Sequence, residues 1–176
     1  MGVINRKIDA DILDALDDTT LDAGNTATTL SLSKVMHAYA ILGNNDVPVD
    51  DVENMFFIVS PAGLAYLMQT KEFASAEYVD VKPFVGPSRK MLRWAGFNWI
   101  VHPNVEGAGG ATEKLFAFHR NAIGHAVNTA GIQSPVGYDE EQDYSWARCT
   151  VFMGSKPLQN SGIVRVNHDG SAYAAT

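Results

Sequence analysis

Ile4, Ile8, Ile12, Leu13 and Leu16 fall on one helical stripe, and Arg6, Lys7, Asp9, Asp11 and Asp14 occupy the rest of the circumference. The pattern predicts a short amphipathic helix over 4–16. Its charges oppose the helix dipole, with Arg6 and Lys7 near the start and Asp17 and Asp18 near the end. Only Asn5 offers a cap, and a cap there leaves Ile4 outside the helix. Residues 19–33, rich in Thr, Ser, Gly24 and Asn25, read as a loop. A second helix is predicted over 33–42, with Val35, Met36, Tyr39 and Leu42 on its apolar face and Gly43 as its stop. After a turn at Asn44, Asn45, Asp46 and Pro48, the continuous apolar run 56–59 predicts a strand covered on both faces. Ser60 and Pro61 then supply the cap and first-turn proline of a helix reaching about Gln69.

The pattern is weak over 71–93, where 72–78 reads as a short helix and Pro83, Gly86 and Pro87 as loop. Phe97, Trp99 and Val101 alternate with Asn98 and Ile100 as a strand ended by Pro103. An apolar run from Leu115 leads through an acidic loop at 139–143 to two strand-like segments, 145–153 and 162–167. In the first, Ala147, Cys149, Val151 and Met153 share one face of the pleat, and Trp146, Arg148, Thr150 and Phe152 the other. Gly154, Pro157, Asn160 and Gly162 punctuate the connection, and the expectation is that the two segments pair as an antiparallel ribbon. Helices and strands that alternate early, with antiparallel pairing late, indicate an α+β domain. The sequence has no internal repeat.

Composition narrows the function classes. With 176 residues, 46% of them hydrophobic, the chain is large enough for one globular unit that buries about 70% of its unfolded surface. A net charge of −7, with 13 basic residues scattered along the chain, argues against a surface that wraps nucleic acid or reads its sequence. A lone cysteine, Cys149, excludes an intramolecular disulfide, and no signal peptide or membrane-length apolar run is present, so the reading is a chain kept in a reducing cytosol.

Each candidate for chemistry has a plainer explanation. Gly107, Gly109, Gly110 and Lys114 resemble a phosphate loop, but Lys114 stands between Glu113 and Leu115 and not in Gly-Lys-Ser/Thr, so a surface loop is expected. His119 and His125 are six residues apart, which separates them on a helix and aligns them on a strand. No HExxH or cysteine pair supports a zinc site. Asp139, Glu140, Glu141 and Asp143 lack the calcium-loop pattern and read as a solvated acidic loop, or as a patch that meets a basic surface on a neighbouring subunit. Cys149 is expected to be a small buried hydrophobe, and Ser60 a helix cap. Phe56, Phe57, Trp94, Phe97, Trp99, Phe116, Phe118, Trp146 and Phe152 are core candidates. No catalytic residue, metal ligand or cofactor is expected.

The blocks AGFNWIVHPNV, AFHRNAIGHA and YDEEQDYSWARCTVFMGSKPLQNSGIVRVNHDG resemble the C-terminal half of a tailed-bacteriophage major capsid protein of the Hong Kong ninety-seven shell fold. INRKIDADILDAL resembles the end of that family's spine helix, which implies a chain without the N-terminal arm, the extended loop and most of the spine. The resemblance implies a compact axial domain over 19–143. A remnant of the peripheral domain would be made of the spine end at 1–18 and a long ribbon over 144–176. It also implies a structural virion protein, made in the bacterial cytoplasm, that assembles with its own copies into an icosahedral head. Scaffold and portal proteins would be further partners; sequence-specific nucleic-acid binding and membrane contact would not be. Two other readings compete. One is a small cytosolic metal-dependent hydrolase using His119, His125 and the acidic loop; the other is an encapsulin compartment of the same shell fold.

Overall fold

The computed structural model describes residues 2–24, 28–71, 92–128 and 133–173. The helix expected at 72–78 and the Pro83–Pro87 loop lie outside them. Helix α1 (Gly2–Asp17) begins before Asn5, so Asn5 is inside the helix and Ile4 stays on the stripe. Helix α2 (Leu32–Asn44) runs through Gly43, and the Asn45 side chain closes its end by donating to the Ile41 carbonyl at 2.9 Å. Strand β1 (Met55–Val59) leads into α3 (Pro61–Met68). There the Ser60 hydroxyl accepts the Gly63 N–H at 2.9 Å, and Pro61 stands in the first turn, as the sequence predicts.

Strands β2 (Leu92–Trp94) and β3 (Phe97–Val101) form a hairpin whose two-residue turn, Ala95 and Gly96, has φ of 52° and 80°. Positive φ at both positions matches the turn type whose twist suits adjacent strands. Strands β4 (Glu113–His119) and β9 (Ile163–His168) complete a mixed five-stranded sheet in the order β2-β3-β1-β4-β9, in which only β1 and β3 are parallel. Residues 21–23 run along the outer edge of β9: Arg165 N–H donates to the Leu21 carbonyl at 2.8 Å and Ala23 N–H to the Arg165 carbonyl at 2.7 Å. The edge is thereby covered.

One sheet face carries Phe57, Phe97, Trp99, Leu115, Ala117, Val164 and Val166 against α2 and α3, all buried. Phe57 stacks on Trp99 at 4.3 Å between ring centroids. The other face, with Ile58, Ile100, Phe116 and Phe118, lies under α1, whose Leu13 and Leu16 are buried. The result is three layers, helices on sheet on helix.

The remaining strands depart from the expected pairing. Strand β5 (Ile123–Val127) pairs with β8 (Met153–Pro157), and β6 (Val136–Asp139) pairs with β7 (Tyr144–Ala147), both antiparallel. A bridge between Gln133 and Thr150, and Asn128 N–H donating to the Phe152 carbonyl at 2.9 Å, join the two pairs into one long ribbon. A long antiparallel ribbon therefore exists, but it is made of 123–128 and 133–139 returning as 144–157. The segment 162–167 does not pair with 145–153; it lies in the central sheet against β4. The alternation marks strands without naming their partners, and the eight-residue connection 154–161 is as compatible with a return to a distant strand as with a hairpin.

Candidate functional site

The residues that could have formed a catalytic centre are dispersed. His119 is buried at the end of β4, where its Nδ1 accepts the Asn121 N–H at 3.3 Å and its Nε2 stands 3.9 Å from Asp51. His125 is exposed near the base of the ribbon, 2.7 Å from the Ser155 hydroxyl. The acidic residues 139–143 form the turn at the ribbon's far end, where Asp139 caps the N–H groups of Glu141 and Gln142 and Asp143 accepts the Tyr138 hydroxyl. Among the described residues no group of three or more His, Cys, Asp or Glu is placed to hold a metal ion. The convergence that a hydrolase would require is not present in the arrangement of these groups.

Gly107 and Gly109, with φ of 74° and 78°, turn the loop before β4, and Lys114 reaches back to Asp17 at 2.6 Å and Glu106 at 2.9 Å. Cys149 is a correction: it is exposed, outside any strand, with its sulfur 3.4 Å from the Ser134 hydroxyl. Trp146 and Phe152 are corrections too, 41% and 68% exposed, whereas the other aromatic core candidates pack in or against the core.

A buried polar cluster went unseen in the sequence. Glu113 and His168, paired across β4 and β9, are fully buried. The Ser60 hydroxyl and the Gly109 N–H each donate to the Glu113 carboxylate at 2.5 Å. His168 Nδ1 accepts the Leu30 N–H at 2.8 Å, which leaves the ring proton on Nε2, 3.7 Å from the carboxylate. Burial pushes the His168 imidazolium down in pKa, against the pull of Glu113. Nearby, Lys34 donates to the carbonyls of Thr28 at 2.7 Å and Asn167 at 2.6 Å, and its burial lowers its pKa. Serine, histidine and acid meet here, but the acid stands between the other two and accepts the serine's hydrogen bond. The groups are also closed from solvent, so the cluster joins α3, β4, β9 and the Gly-rich loop and has no room for a substrate. The one legible signal was Glu113 itself, a carboxylate at the head of an otherwise apolar strand.

The exposed feature that stands out is the ribbon. In the far half, the register pairs Gly137 with Trp146 and Asp139 with Tyr144, so Tyr144 and Trp146 share one face and Val136 and Tyr138 the other. Val136 is 76% exposed and Tyr138, Tyr144 and Trp146 are all open to solvent. Two-stranded hairpins are at best marginally stable alone in water, and apolar groups on both faces call for a covering surface.

No curated protein matches the chain. Among solved structures it is similar to one from Mycobacterium phage Che8, with a TM-score of 0.74 and 17% identity over 95% of this chain and 61% of that one. It is also similar to the holo-SrpI encapsulin complex of Synechococcus elongatus, with a TM-score of 0.61 and 12% identity, covering 99% of this chain and 64% of that one. The capsid of the cyanophage P-SCSP1u has a TM-score of 0.61 and 10% identity, covering 92% of this chain and 60% of that one. The chain thus spans less than two thirds of each of these neighbours and shares their fold. The family model for phage capsid proteins matches residues 1–170, nearly the entire sequence, and the chain belongs to that family.

Proposed function

We propose that the chain is a subunit of a phage-type capsid that packs against copies of itself in an icosahedral shell. The observation that carries this is the ribbon of 123–128 and 133–139 with 144–157, whose far half shows apolar side chains on both faces and is left open by the other described residues of the chain. Membership of the capsid family supplies the kind of surface that would cover it.

In this reading, α1 and the ribbon form the peripheral part of the subunit. The five-stranded sheet with α2 and α3 forms the axial part, and its loops, including 105–112, meet neighbours around five-fold or six-fold positions. Scaffold and portal proteins are further partners, and the protein resides in the virion after synthesis in the bacterial cytoplasm. No step of chemistry is assigned to any residue.

Specific, stable interfaces bury about 1,200 Å² or more, and a two-stranded ribbon supplies only part of that. This chain alone is therefore expected to be a monomer or a small oligomer that does not close a shell. Size-exclusion chromatography with light scattering tests both statements. Regular particles of megadalton mass would contradict the small-oligomer expectation. Oligomers left unchanged by replacing Val136, Tyr138, Tyr144 and Trp146 with Ser would contradict the role given to the ribbon.

A further inference from the structure

The charges at two places in the molecule are left unanswered by the fold. At the ribbon's tip, Asp139 caps its own turn and Asp143 takes the Tyr138 hydroxyl, so Glu140 and Glu141 remain exposed and pair with no cation among the described residues. At the start of α1, Arg6 and Lys7 are exposed and pair with no carboxylate among the described residues. Like charges left without a counter-charge favour a partner that supplies one.

The other end of α1 shows how such a charge can be answered. Asp17 and Asp18 stand at the negative end of the helix dipole, but Asp17 is held by Lys114 at 2.6 Å and Arg165 at 3.0 Å. The acids that follow Arg6 and Lys7 are engaged as well: Asp9 lies 3.4 Å from His102, and Asp11 accepts the Ser155 hydroxyl at 2.6 Å. Asp9, Asp11 and Asp17 of α1 thus have partners within the chain, and Arg6 and Lys7 have none among the described residues.

We propose that the ribbon tip of one copy docks on the first two turns of α1 in a second copy, setting Glu140 and Glu141 against Arg6 and Lys7. The apolar side chains behind the tip then meet Val3, which is 82% exposed, and the half-buried Ile4 beside it. The proposal rests on the shell-subunit reading and names the surface that receives the ribbon. Charge selects this site over the other apolar surface near α1. The grooves lined by Ile12, Leu13, Ile58, Ile100, Phe116 and Phe118 carry Asp9, Asp14 and Glu106 at their margins and would repel the tip.

The test uses the full chain in three forms: wild type, E140K/E141K and R6E/K7E. All the substituted side chains are exposed, so circular dichroism and melting should match the wild type. In sedimentation velocity at low salt the wild type should self-associate, and less so as salt is raised. Each variant should associate at least about ten-fold more weakly. An equimolar mixture of the two variants should regain association, because the reversed tip of one now faces the reversed helix start of the other. Association of the single variants at wild-type strength, or a mixture no better than its parts, overturns the contact. In that case the shell reading stands, since the wild type still associates. A wild type that stays monomeric up to about 1 mM in low salt overturns the contact, while the family match, which does not depend on it, keeps the shell reading.

Discussion

The central sheet and the ribbon are built from similar sequence patterns and have opposite surroundings. In the sheet, Phe57, Trp99, Leu115 and Ile163 are fully buried, and the edge at β9 is covered by residues 21–23 of the same chain. In the ribbon, Val136, Tyr138, Trp146 and Phe152 are open, and both edges of the far pair are free in the described residues. Alternation in sequence establishes that a segment can form a strand; it does not establish which molecule covers it. The sheet is satisfied within one chain, and the ribbon carries its apolar side chains into solvent for something else to cover.

The sharpest way to break this contrast is a pair of substitutions. Phe57→Ala removes a fully buried ring from the sheet centre and should lower the unfolding free energy by about 3–5 kcal/mol. Trp146→Ser should change it by less than about 0.5 kcal/mol while weakening self-association. Denaturant titration measures the first quantity and light scattering the second. Equal destabilisation by the two changes would mean that the ribbon belongs to the core.

A smaller effect is expected at the polar cluster. Glu113→Ala leaves the Ser60 hydroxyl and the Gly109 N–H without their acceptor and should cost about 2–3 kcal/mol. Gly170→Ala should cost about 1–3 kcal/mol, because the added methyl would run into the Glu113 carboxylate.

The same cluster sets a pH dependence. The unfolded chain binds a proton on His168 near pH 6.5, and the folded chain only at lower pH. Stability is therefore fully present above about pH 6.5 and is lost as the pH falls toward the folded value, by at most about 1.4 kcal/mol per pH unit. Unfolding curves of His168→Gln should be flatter across that window. Asp17 acts further down. Burial raises its pKa, but the Lys114 and Arg165 contacts together outweigh this and hold it below 3.8, so its contribution fades only in acid below that value.

The smallest expected effect is at the ribbon's base. His125→Ala should change stability by less than about 0.5 kcal/mol, and zinc should leave the melting temperature of the wild type unchanged. A zinc-dependent rise lost in His125→Ala would point to a metal site there.

How much of this was legible depends on whether a signal was local. The Ser60–Pro61 helix start, the apolar run of β1 and the alternation of β3 are written within a few residues each, and the structure matches them. Strand β2 lay in the weakly patterned stretch before Trp94. The partner of β9 was misjudged because pairing with β4 spans a long intervening sequence, and nothing in Ile163–His168 names Glu113–His119 over a nearer strand. Burial of Cys149, Trp146 and Phe152 was expected because residue type was taken as a guide to depth, and a strand awaiting a partner uses the same apolar residues as a strand that has one. The candidate interface is legible only in part: the acidic loop reads as a possible contact for a basic neighbour, and the charge order of α1 shows Arg6 and Lys7 without assigning them a partner. The Glu113–His168 cluster shows in the sequence only through Glu113, because its other members come from distant stretches of chain.

The position of β9 also sets the order of events during synthesis. Thr19 donates to the Ile163 carbonyl across 144 residues, and Leu30 to His168 across 138, so the first third of the chain can be locked in place only by the last. At about 5–20 residues per second, a ribosome takes roughly ten seconds or more to release that strand. Until then the nascent sheet has β4 as an open border, and the growing polypeptide is most exposed to chaperones and to premature pairing with its siblings.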